Sequence, residues 1–527
     1  MKFKTRHKIS LLYLLALALL ILAWKTPFSL LIFPAFGIVW HLLFKPQKRL
    51  FLSLYALFAL WNLATTYWIA NAHFLGVIAT VFINGALMAF ALWFGRRASE
   101  LLVRFPWFQR RVWMHHLPIV SSWMALEELH DHWGLAFPWL NLGHTFNTVP
   151  QLVQFYQWTG ASGGSLWVLL VAASTSMAIA KKENRRYSLA LFSVPIAVSL
   201  ALYFWQPAPK ESGRLQVAIV QPNIEANHEK WSLPERAQID KVRQLLAAAI
   251  DTPSSIDLVV LPETFLPSPR LEGTFPSRAE DRQWVNVARD FGKSVVFGAT
   301  TYTFQDTPDA YNRPYGKKYY TLFNTALFLG AQDSLPQYYH KGKLVAGGET
   351  MPFIKLLKPF FGPWAVELGG TSNTLGISSE RKVFEDPATG LRLAPIICWE
   401  NEFSHYATAY SRQGANLLAV ITNDGWWGNT DGHRQHLRLS SLRAIEQRKQ
   451  VVRSANTGIS AFINEKGTVG RTLSWEQQGV LVQSVPLYEG KSLYVRTGNW
   501  IGKFFTGLFF LYLLLVLFTR FFRLKNR

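Results

Sequence analysis

The sequence predicts an α-helical membrane protein that carries one α/β domain shortly before its last membrane span. Long apolar runs without charge fill the first 206 of the 527 residues and recur from residue 500, whereas residues 207–499 have the composition of a soluble domain. Within that middle part, short β-branched runs alternate with helical segments, which is typical of an α/β sheet covered by helices.

The apolar runs predict about eight membrane spans, because each is near the length that crosses a hydrocarbon core of roughly 30 Å. The predicted spans are 9–24, 27–44, 50–70, 74–94, 112–128, 158–180, 188–206 and 500–519. The fifth contains the most polar residues, with two histidines and two glutamates at its end. The first run resembles a secretory signal, but no small-residue cleavage pattern follows it, so we expect it to remain as an anchor.

Basic residues predict the orientation of the spans. They cluster at the N-terminus, after the second, fourth and sixth spans, and at the C-terminus. Because cytoplasmic loops carry the excess of Lys and Arg, we expect both termini in the cytoplasm and residues 207–499 outside it. These flanks account for most of the net charge of +21, so the charge does not indicate a nucleic-acid partner.

Strand and helix patterns alternate through residues 207–499. Ser232-x-x-Glu235 predicts a capping box that opens a helix through Ile250. The predicted strands are 215–220, 256–261, 294–299, 321–329, 391–397, 416–422, 450–454 and 459–464, and the predicted helices are 232–250, 279–291, 402–413 and 434–448. In such sheets the reactive side chains sit at the carboxyl ends of strands.

Glu263 and Cys398 stand just beyond predicted strand ends, and Lys341 lies beyond the predicted strand 321–329, in Tyr338-Tyr-His-Lys-Gly-Lys-Leu-Val345. Cys398 is the only cysteine of the chain, so its thiol is either a small buried hydrophobe or a nucleophile. The carboxylate, the ammonium and the thiol can serve as general base, oxyanion stabiliser and nucleophile in acyl transfer. We also expect the ammonium to lower the pKa of the thiol. Glu263 could instead be a solvated loop carboxylate, and Lys343 competes with Lys341 for the cationic role.

The segments around these residues resemble the signatures of the nitrilase superfamily. Leu261-Pro-Glu-Thr264, Tyr338-Tyr-His-Lys341 and Ile396-Ile-Cys-Trp-Glu400 occur in that family's order and approximate spacing. Thr422-Asn-Asp-Gly-Trp-Trp-Gly428 and Arg453-Ser-Ala-Asn-Thr-Gly458 look like the segments that follow its nucleophile. The resemblance implies a nitrilase-like αββα sandwich with Glu263, Lys341 and Cys398 as its catalytic residues.

A nitrilase-like domain between the seventh and eighth of eight spans resembles the apolipoprotein N-acyltransferase family. That resemblance implies transfer of an acyl chain from a phospholipid, with phosphatidylethanolamine as donor, through Cys398 to the N-terminal S-diacylglyceryl cysteine of apolipoproteins. It implies the bacterial inner membrane, a periplasmic catalytic domain, and no cofactor, metal or nucleic acid. Two alternatives are a membrane-tethered amidohydrolase and a non-catalytic receptor or transporter with a nitrilase-like domain.

Three more residues match positions of that family, namely Trp231, Glu349 and Glu400, and we also expect Trp399, next to Cys398, to be a supporting or substrate-binding residue. The match implies that Trp231 lines the acyl site and that the two glutamates are needed for function, through either proton transfer or orientation. Both tryptophans could instead be core aromatics. The family usually has Leu-Val-Pro-Phe-Gly-Glu where this chain has Leu-Val-Ala-Gly-Gly-Glu349, and a tyrosine where Trp399 stands. These departures bear on the substrate channel more than on the chemistry.

The segment 352–364 is unusually apolar for a soluble domain. Its bulky residues, with Lys355 and Lys358 able to extend toward water, are typical of an element that dips into a membrane surface. The alternative is a loop that packs on its own domain.

Overall fold

The computed structural model describes residues 2–25, 27–103, 106–180, 185–225, 232–249, 256–291, 294–330, 332–361 and 374–525. Two compact units make up the chain. The helical unit contains Met1–Tyr67, Phe74–Gln206 and Thr497–Arg527, and the α/β unit contains Trp68–His73 and Pro207–Arg496.

The helical unit is built from apolar helices. These are Lys2–Lys25, Ile32–Leu43, Leu50–Thr66, Phe74–Ala79, Gly85–Leu102, Pro106–Gln109, Leu117–Leu129, Tyr156–Thr159, Ala161–Ala180, Arg185–Trp205 and Trp500–Lys525. A π-helical turn, Thr80–Asn84, joins the fourth to the fifth. Five of the described stretches are long and apolar enough to cross a membrane: His7–Lys25, Phe74–Leu102, Ala161–Ile179, Arg185–Trp205 and Trp500–Thr519. Ser29–Leu43 and Leu50–Thr66 are apolar but shorter.

Two predicted spans differ from the helices that form. The run 112–128 folds as a short turn, Val112–His115, followed by the helix Leu117–Leu129 of 13 residues, which is shorter than the roughly 20 residues that cross a bilayer. The run 50–70 ends as a helix at Thr66, whose hydroxyl donates to the carbonyl of Asn62, a bond that competes with the helix backbone. Helix length alone therefore does not confirm eight spans.

The α/β unit contains two mixed sheets. Its strands are β1 Glu211–Gln221, β2 Leu258–Val260, β3 Leu266–Leu271, β4 Ser294–Gln305, β5 Arg313–Tyr315, β6 Lys318–Gly330, β7 Gln337–His340, β8 Phe384–Asp386, β9 Leu391–Ile397, β10 Leu417–Thr422, β11 Val451–Ala455, β12 Ser460–Ile463, β13 Val469–Leu473 and β14 Gly479–Tyr488. The first sheet has the order β14-β1-β2-β4-β6-β5, with β3 on β4 and β7 on β6. The second has the order β13-β12-β11-β10-β9-β8.

Parallel strands form the centre of each sheet. β1, β2 and β4 run parallel in the first, and β9, β10 and β11 run parallel in the second. Their residues are almost continuously buried, as in the pattern of β10, because both faces of a parallel sheet are covered. The carboxyl ends of these parallel strands, where reactive side chains usually lie, therefore meet at one edge of each sheet.

The two sheets pack on each other and helices cover their outer faces. Ser454 donates a hydrogen bond across the sheets to the carbonyl of Val220 at 2.8 Å. Helices Glu235–Ala249 and Ala279–Phe291 pack on the first sheet through a core that includes Trp284. Helices Ser404–Arg412 and Asp431–Gln447 contact the second sheet. The α/β unit is thus an αββα sandwich, as predicted.

The helix predicted to open at Ser232 begins at Glu235, after Pro234. The Glu235 carboxylate pairs with the guanidinium of Arg270. Arg270 belongs to β3, a strand that the sequence did not predict because prolines at 267 and 269 interrupt it.

Candidate active site

The structure brings Glu263, Lys341 and Cys398 together in one buried region. Cys398 directly follows β9, Lys341 directly follows β7, and Glu263 lies three residues past β2. Lys341 Nζ donates a hydrogen bond to Glu263 Oε1 at 3.1 Å. The charges of both side chains act on the Cys398 thiol. All three residues are buried.

The backbone at Cys398 is strained. Its φ of 46° lies in the left-handed region, which costs a residue other than glycine on the order of 1–3 kcal/mol. The residue ends β9 and begins a short 3-10 turn, Cys398–Glu402. A sharp turn from strand to helix presents the thiol beyond the sheet, and surrounding contacts must hold it there.

Burial dominates the ionisation of the thiol. It raises the pKa of Cys398, the Glu263 carboxylate raises that pKa further, and Lys341 opposes both, so that the pKa stays well above the ordinary value. The expected lowering by the ammonium is therefore present but outweighed. At neutral pH the thiol keeps its proton, and a base must remove that proton when the nucleophile reacts.

Two carboxylates keep Lys341 charged. Burial alone would lower its pKa, but Glu263 and Glu349 raise it well above the ordinary value. Lys341 Nζ lies 2.8 Å from Glu349 Oε1, and the other oxygen of Glu349 accepts from the Val345 amide at 2.8 Å. Glu349 therefore orients the ammonium and the chain that follows it.

Asn324 belongs to the site although the sequence did not reveal it. Its Nδ2 donates to Glu263 Oε1 at 2.7 Å and to Glu349 Oε1 at 3.0 Å, while its main-chain carbonyl accepts from the main-chain amide of Lys341 at 2.8 Å. The only signal in the sequence is an amide in the middle of the largely apolar run that forms β6.

Glu400 joins the lysine loop to the nucleophile turn. Its side chain is fully buried and accepts hydrogen bonds from the backbone amides of Gly342 at 2.7 Å and Ile397 at 2.9 Å. It also accepts from the hydroxyls of Tyr339 at 2.5 Å and Tyr406 at 3.0 Å. Burial raises the pKa of Glu400. With its oxygens occupied in this way, Glu400 holds backbone in place, which was one of the two roles predicted for it.

The two predicted aromatic residues give different results. Trp399 is buried and packs edge-on against Phe403, with ring centroids 6.1 Å apart. It is adjacent to the nucleophile in sequence and also part of the core. Trp231 lies outside the described residues.

A second buried cluster contacts the backbone of Cys398. His436 Nε2 lies 3.2 Å from the carbonyl oxygen of Cys398, and its Nδ1 lies 2.9 Å from Asp424 Oδ1. Arg453 donates to the other oxygen of Asp424 at 2.6 Å, and the Asn423 amide donates to Glu263 Oε2 at 3.1 Å. The segment 422–428 was recognised as a motif from the sequence, but these contacts were not.

Two family models and a solved structure match parts of the chain. Residues 216–493 match the carbon-nitrogen hydrolase family model. Residues 13–174 match the model for the N-terminal domain of apolipoprotein N-acyltransferase. A solved structure, Saccharomyces cerevisiae Nit3 of the nitrilase superfamily, aligns with 53% of this chain and 93% of its own at 16% identity and a TM-score of 0.38.

Because the carbon-nitrogen hydrolase model covers more than half of the chain, the chain belongs to that family. Individual relatives identify a more specific family. The apolipoprotein N-acyltransferase of Brucella suis is 30% identical over 70% of this chain and 67% of its own, and that of Chlorobaculum tepidum is 26% identical over 82% and 80%. The chain belongs to the apolipoprotein N-acyltransferase family.

Proposed function

We propose that the chain transfers a fatty acyl group from a phospholipid to the α-amine of the N-terminal S-diacylglyceryl cysteine of bacterial apolipoproteins. Membership of the family supports this activity. The meeting of Glu263, Lys341 and Cys398 in one buried site is the observation that carries it. A thiol, a carboxylate and an ammonium suit transfer through a covalent intermediate.

In the first step, Glu263 accepts the proton of the Cys398 thiol and the sulfur attacks the ester carbonyl of the phospholipid. A C–S bond forms and Lys341 stabilises the oxyanion. The ester C–O bond then breaks, and the leaving alkoxide takes the proton from Glu263. The products are a thioester on Cys398 and a lysophospholipid.

In the second step, the α-amine of the acceptor attacks the thioester. A C–N bond forms, the C–S bond breaks, and Glu263 passes the proton released by the amine to the departing sulfur. The amide product leaves and the thiol is restored. Burial of the site limits hydrolysis of the thioester before the amine arrives.

Glu349, Asn324 and Glu400 position the reacting groups in this scheme. Glu349 and Asn324 fix Lys341 and Glu263 through the bonds described above. Glu400 fixes the backbone on both sides of the site. Trp231 is assigned to the lining of the acyl site on the basis of the family match, and Trp399 on the basis of its position next to Cys398.

The membrane arrangement extends the proposal. We assign eight spans, with residues 207–499 inserted before the last, both termini in the cytoplasm, and the catalytic domain in the periplasm on the inner membrane. The apolar helices and the distribution of basic residues support this arrangement. The assignment of phosphatidylethanolamine as donor rests on the family resemblance, and no cofactor is assigned.

A transfer assay tests the proposed function. The full-length protein in detergent micelles is mixed with a phospholipid and a synthetic S-diacylglyceryl-cysteinyl peptide, and the products are weighed by mass spectrometry. We expect a peptide heavier by one acyl group, and no such product when the peptide's amine is acetylated beforehand. Release of free fatty acid with no acylated peptide would favour the amidohydrolase alternative. No turnover of the donor would favour the receptor alternative.

A further inference from the structure

The α/β unit includes six residues that are distant from it in sequence. Trp68–His73 lies between the apolar helices Leu50–Thr66 and Phe74–Leu102, yet its contacts belong to the α/β unit. Trp68 is only 1% exposed. A tryptophan buried to this degree contributes to the stability and position of what it packs against.

This segment packs on the loop that follows β10. The ring of Trp68 lies 4.9 Å from that of Trp427, and Asn71 Nδ2 donates to the carbonyl of Trp427 at 2.9 Å. The fit is close at Gly432, where a Cβ would lie 2.8 Å from the Trp68 ring. A larger residue at 432 would push the two segments apart.

The same loop, residues 423–428, contacts the residues of the active site. Its Asn423 amide donates to Glu263 at 3.1 Å. The Trp427 ring lies 5.3 Å from that of His436, which in turn bonds the Cys398 carbonyl at 3.2 Å. Because the backbone of Cys398 is strained, its position depends on such contacts. A continuous line of contacts therefore runs from Trp68 to the nucleophile.

We propose that Trp68–His73 is a positioning element for the active site, acting through loop 423–428 on Glu263 and, through His436, on Cys398. Trp68 and Asn71 are its positioning residues. This inference rests on the proposed acyl transfer through Cys398. Trp68–His73, which lies between two apolar helices, thereby contributes to catalysis, and this role is distinct from anchoring the protein in the membrane.

The expected effect is on rate and not on donor binding. A displacement of about 1 Å in reacting groups can cost on the order of 100-fold in rate. We expect Trp68→Ala to slow acylation of Cys398 by about 10- to 100-fold with an unchanged half-saturating phospholipid concentration. Trp68→Phe keeps a ring in contact with Trp427 and is expected to restore most of the rate.

The test compares full-length variants in detergent by the rate of acyl gain on Cys398, measured by intact-protein mass spectrometry and normalised to folded protein. Trp61→Ala is the matched control, since Trp61 is a buried tryptophan of the helical unit that packs against Trp24. Equal rates in Trp68→Ala and Trp61→Ala would overturn the inference. If Trp68→Ala does not fold, Asn71→Ala decides, because Asn71 is exposed and its loss removes little beyond the bond to Trp427. We expect a several-fold slower rate for it, and a rate equal to wild type would overturn the inference.

Hydrogen exchange gives a second readout that needs no acyl transfer. Peptides covering 398–402 and 423–428 are expected to exchange faster in Trp68→Ala than in the wild type or in Trp61→Ala. Unchanged exchange in both peptides would overturn the inference. If the wild type never gains an acyl group, the proposed function fails, and the exchange data still show whether the segment positions the loop.

Discussion

At the scale of single residues, the site pairs one ammonium with two carboxylates that have different tasks. Lys341 bonds both Glu263 and Glu349. Of the two, Glu263 raises the pKa of the Cys398 thiol, whereas Glu349 also bonds the backbone of Val345. We propose from this difference that Glu263 transfers the proton and that Glu349 orients Lys341.

Replacing the base tests that assignment. We expect Glu263→Gln to slow acylation of Cys398 by about 10²- to 10⁴-fold, the usual contribution of a general base. The glutamine oxygen can still accept from Lys341 and Asn324, so the fold is expected to persist. Single-turnover mass spectrometry measures the rate. Glu385→Gln, at an exposed carboxylate 3.5 Å from Arg392, is the matched control, and equal rates in the two variants would contradict the assignment.

The pH dependence of thiol reactivity follows from the raised pKa of Cys398. The thiol is protonated below its pKa and becomes the reactive thiolate above it, so alkylation by iodoacetamide should stay slow at neutral pH and accelerate at alkaline pH. Glu263→Gln removes a charge that raises this pKa, so the midpoint should move to lower pH. The mass shift at the only cysteine reports the reaction. A midpoint that stays in place would show that Glu263 does not act on the thiol.

At the scale of elements, residues that follow strands were the part of the site that the sequence could predict. Glu263 and Cys398 could be predicted because each follows a predicted strand, whereas β7 was not predicted and Lys341 was recognised from its neighbours in Tyr338-Tyr-His-Lys341. Asn324 could not be predicted, because it lies within β6. The face of β6 that meets the site depends on how β6 pairs with β4 and β7. Trp68 could not be predicted, because an apolar run shows composition and does not show where its helix ends.

The helix Ile354–Phe361 makes up most of the described part of segment 352–364, which we expect to dip into the membrane surface. Ile354 is buried, whereas Leu356 is 65% exposed and Phe360 is 78% exposed. We expect the double change Leu356→Ser and Phe360→Ser to lower transfer in phospholipid vesicles by about tenfold, since lipid contact of two such side chains is worth roughly 1–2 kcal/mol. Transfer from a short-chain donor in detergent should be unchanged. Tyr315→Ser, at an exposed aromatic residue of the same unit, is the control. Full activity of the double variant in vesicles would mean that the helix does not contact lipid.

At the scale of the whole molecule, the order of segments along the chain matches the family over both units. Composition predicted the two units, because charge-free runs and an α/β pattern are separate along the sequence. Orientation across the membrane comes from the distribution of basic residues alone.

Accessibility to a membrane-impermeant maleimide tests the orientation. In a Cys398→Ser background, Tyr315→Cys in the α/β unit should be labelled on intact spheroplasts, whereas Asn526→Cys at the C-terminus should be labelled only after lysis. The two sites then report opposite sides of the membrane. Labelling of Asn526→Cys before lysis would place the C-terminus outside and contradict the assignment.

Intact-protein mass spectrometry shows whether Cys398 carries the acyl group during transfer. The purified wild type is incubated in detergent with phospholipid and no acceptor, beside a sample whose thiol was blocked beforehand. We expect a gain of one acyl mass that hydroxylamine removes and that the blocked sample lacks. A wild-type mass that never changes, with donor and fold shown to be intact, would contradict it.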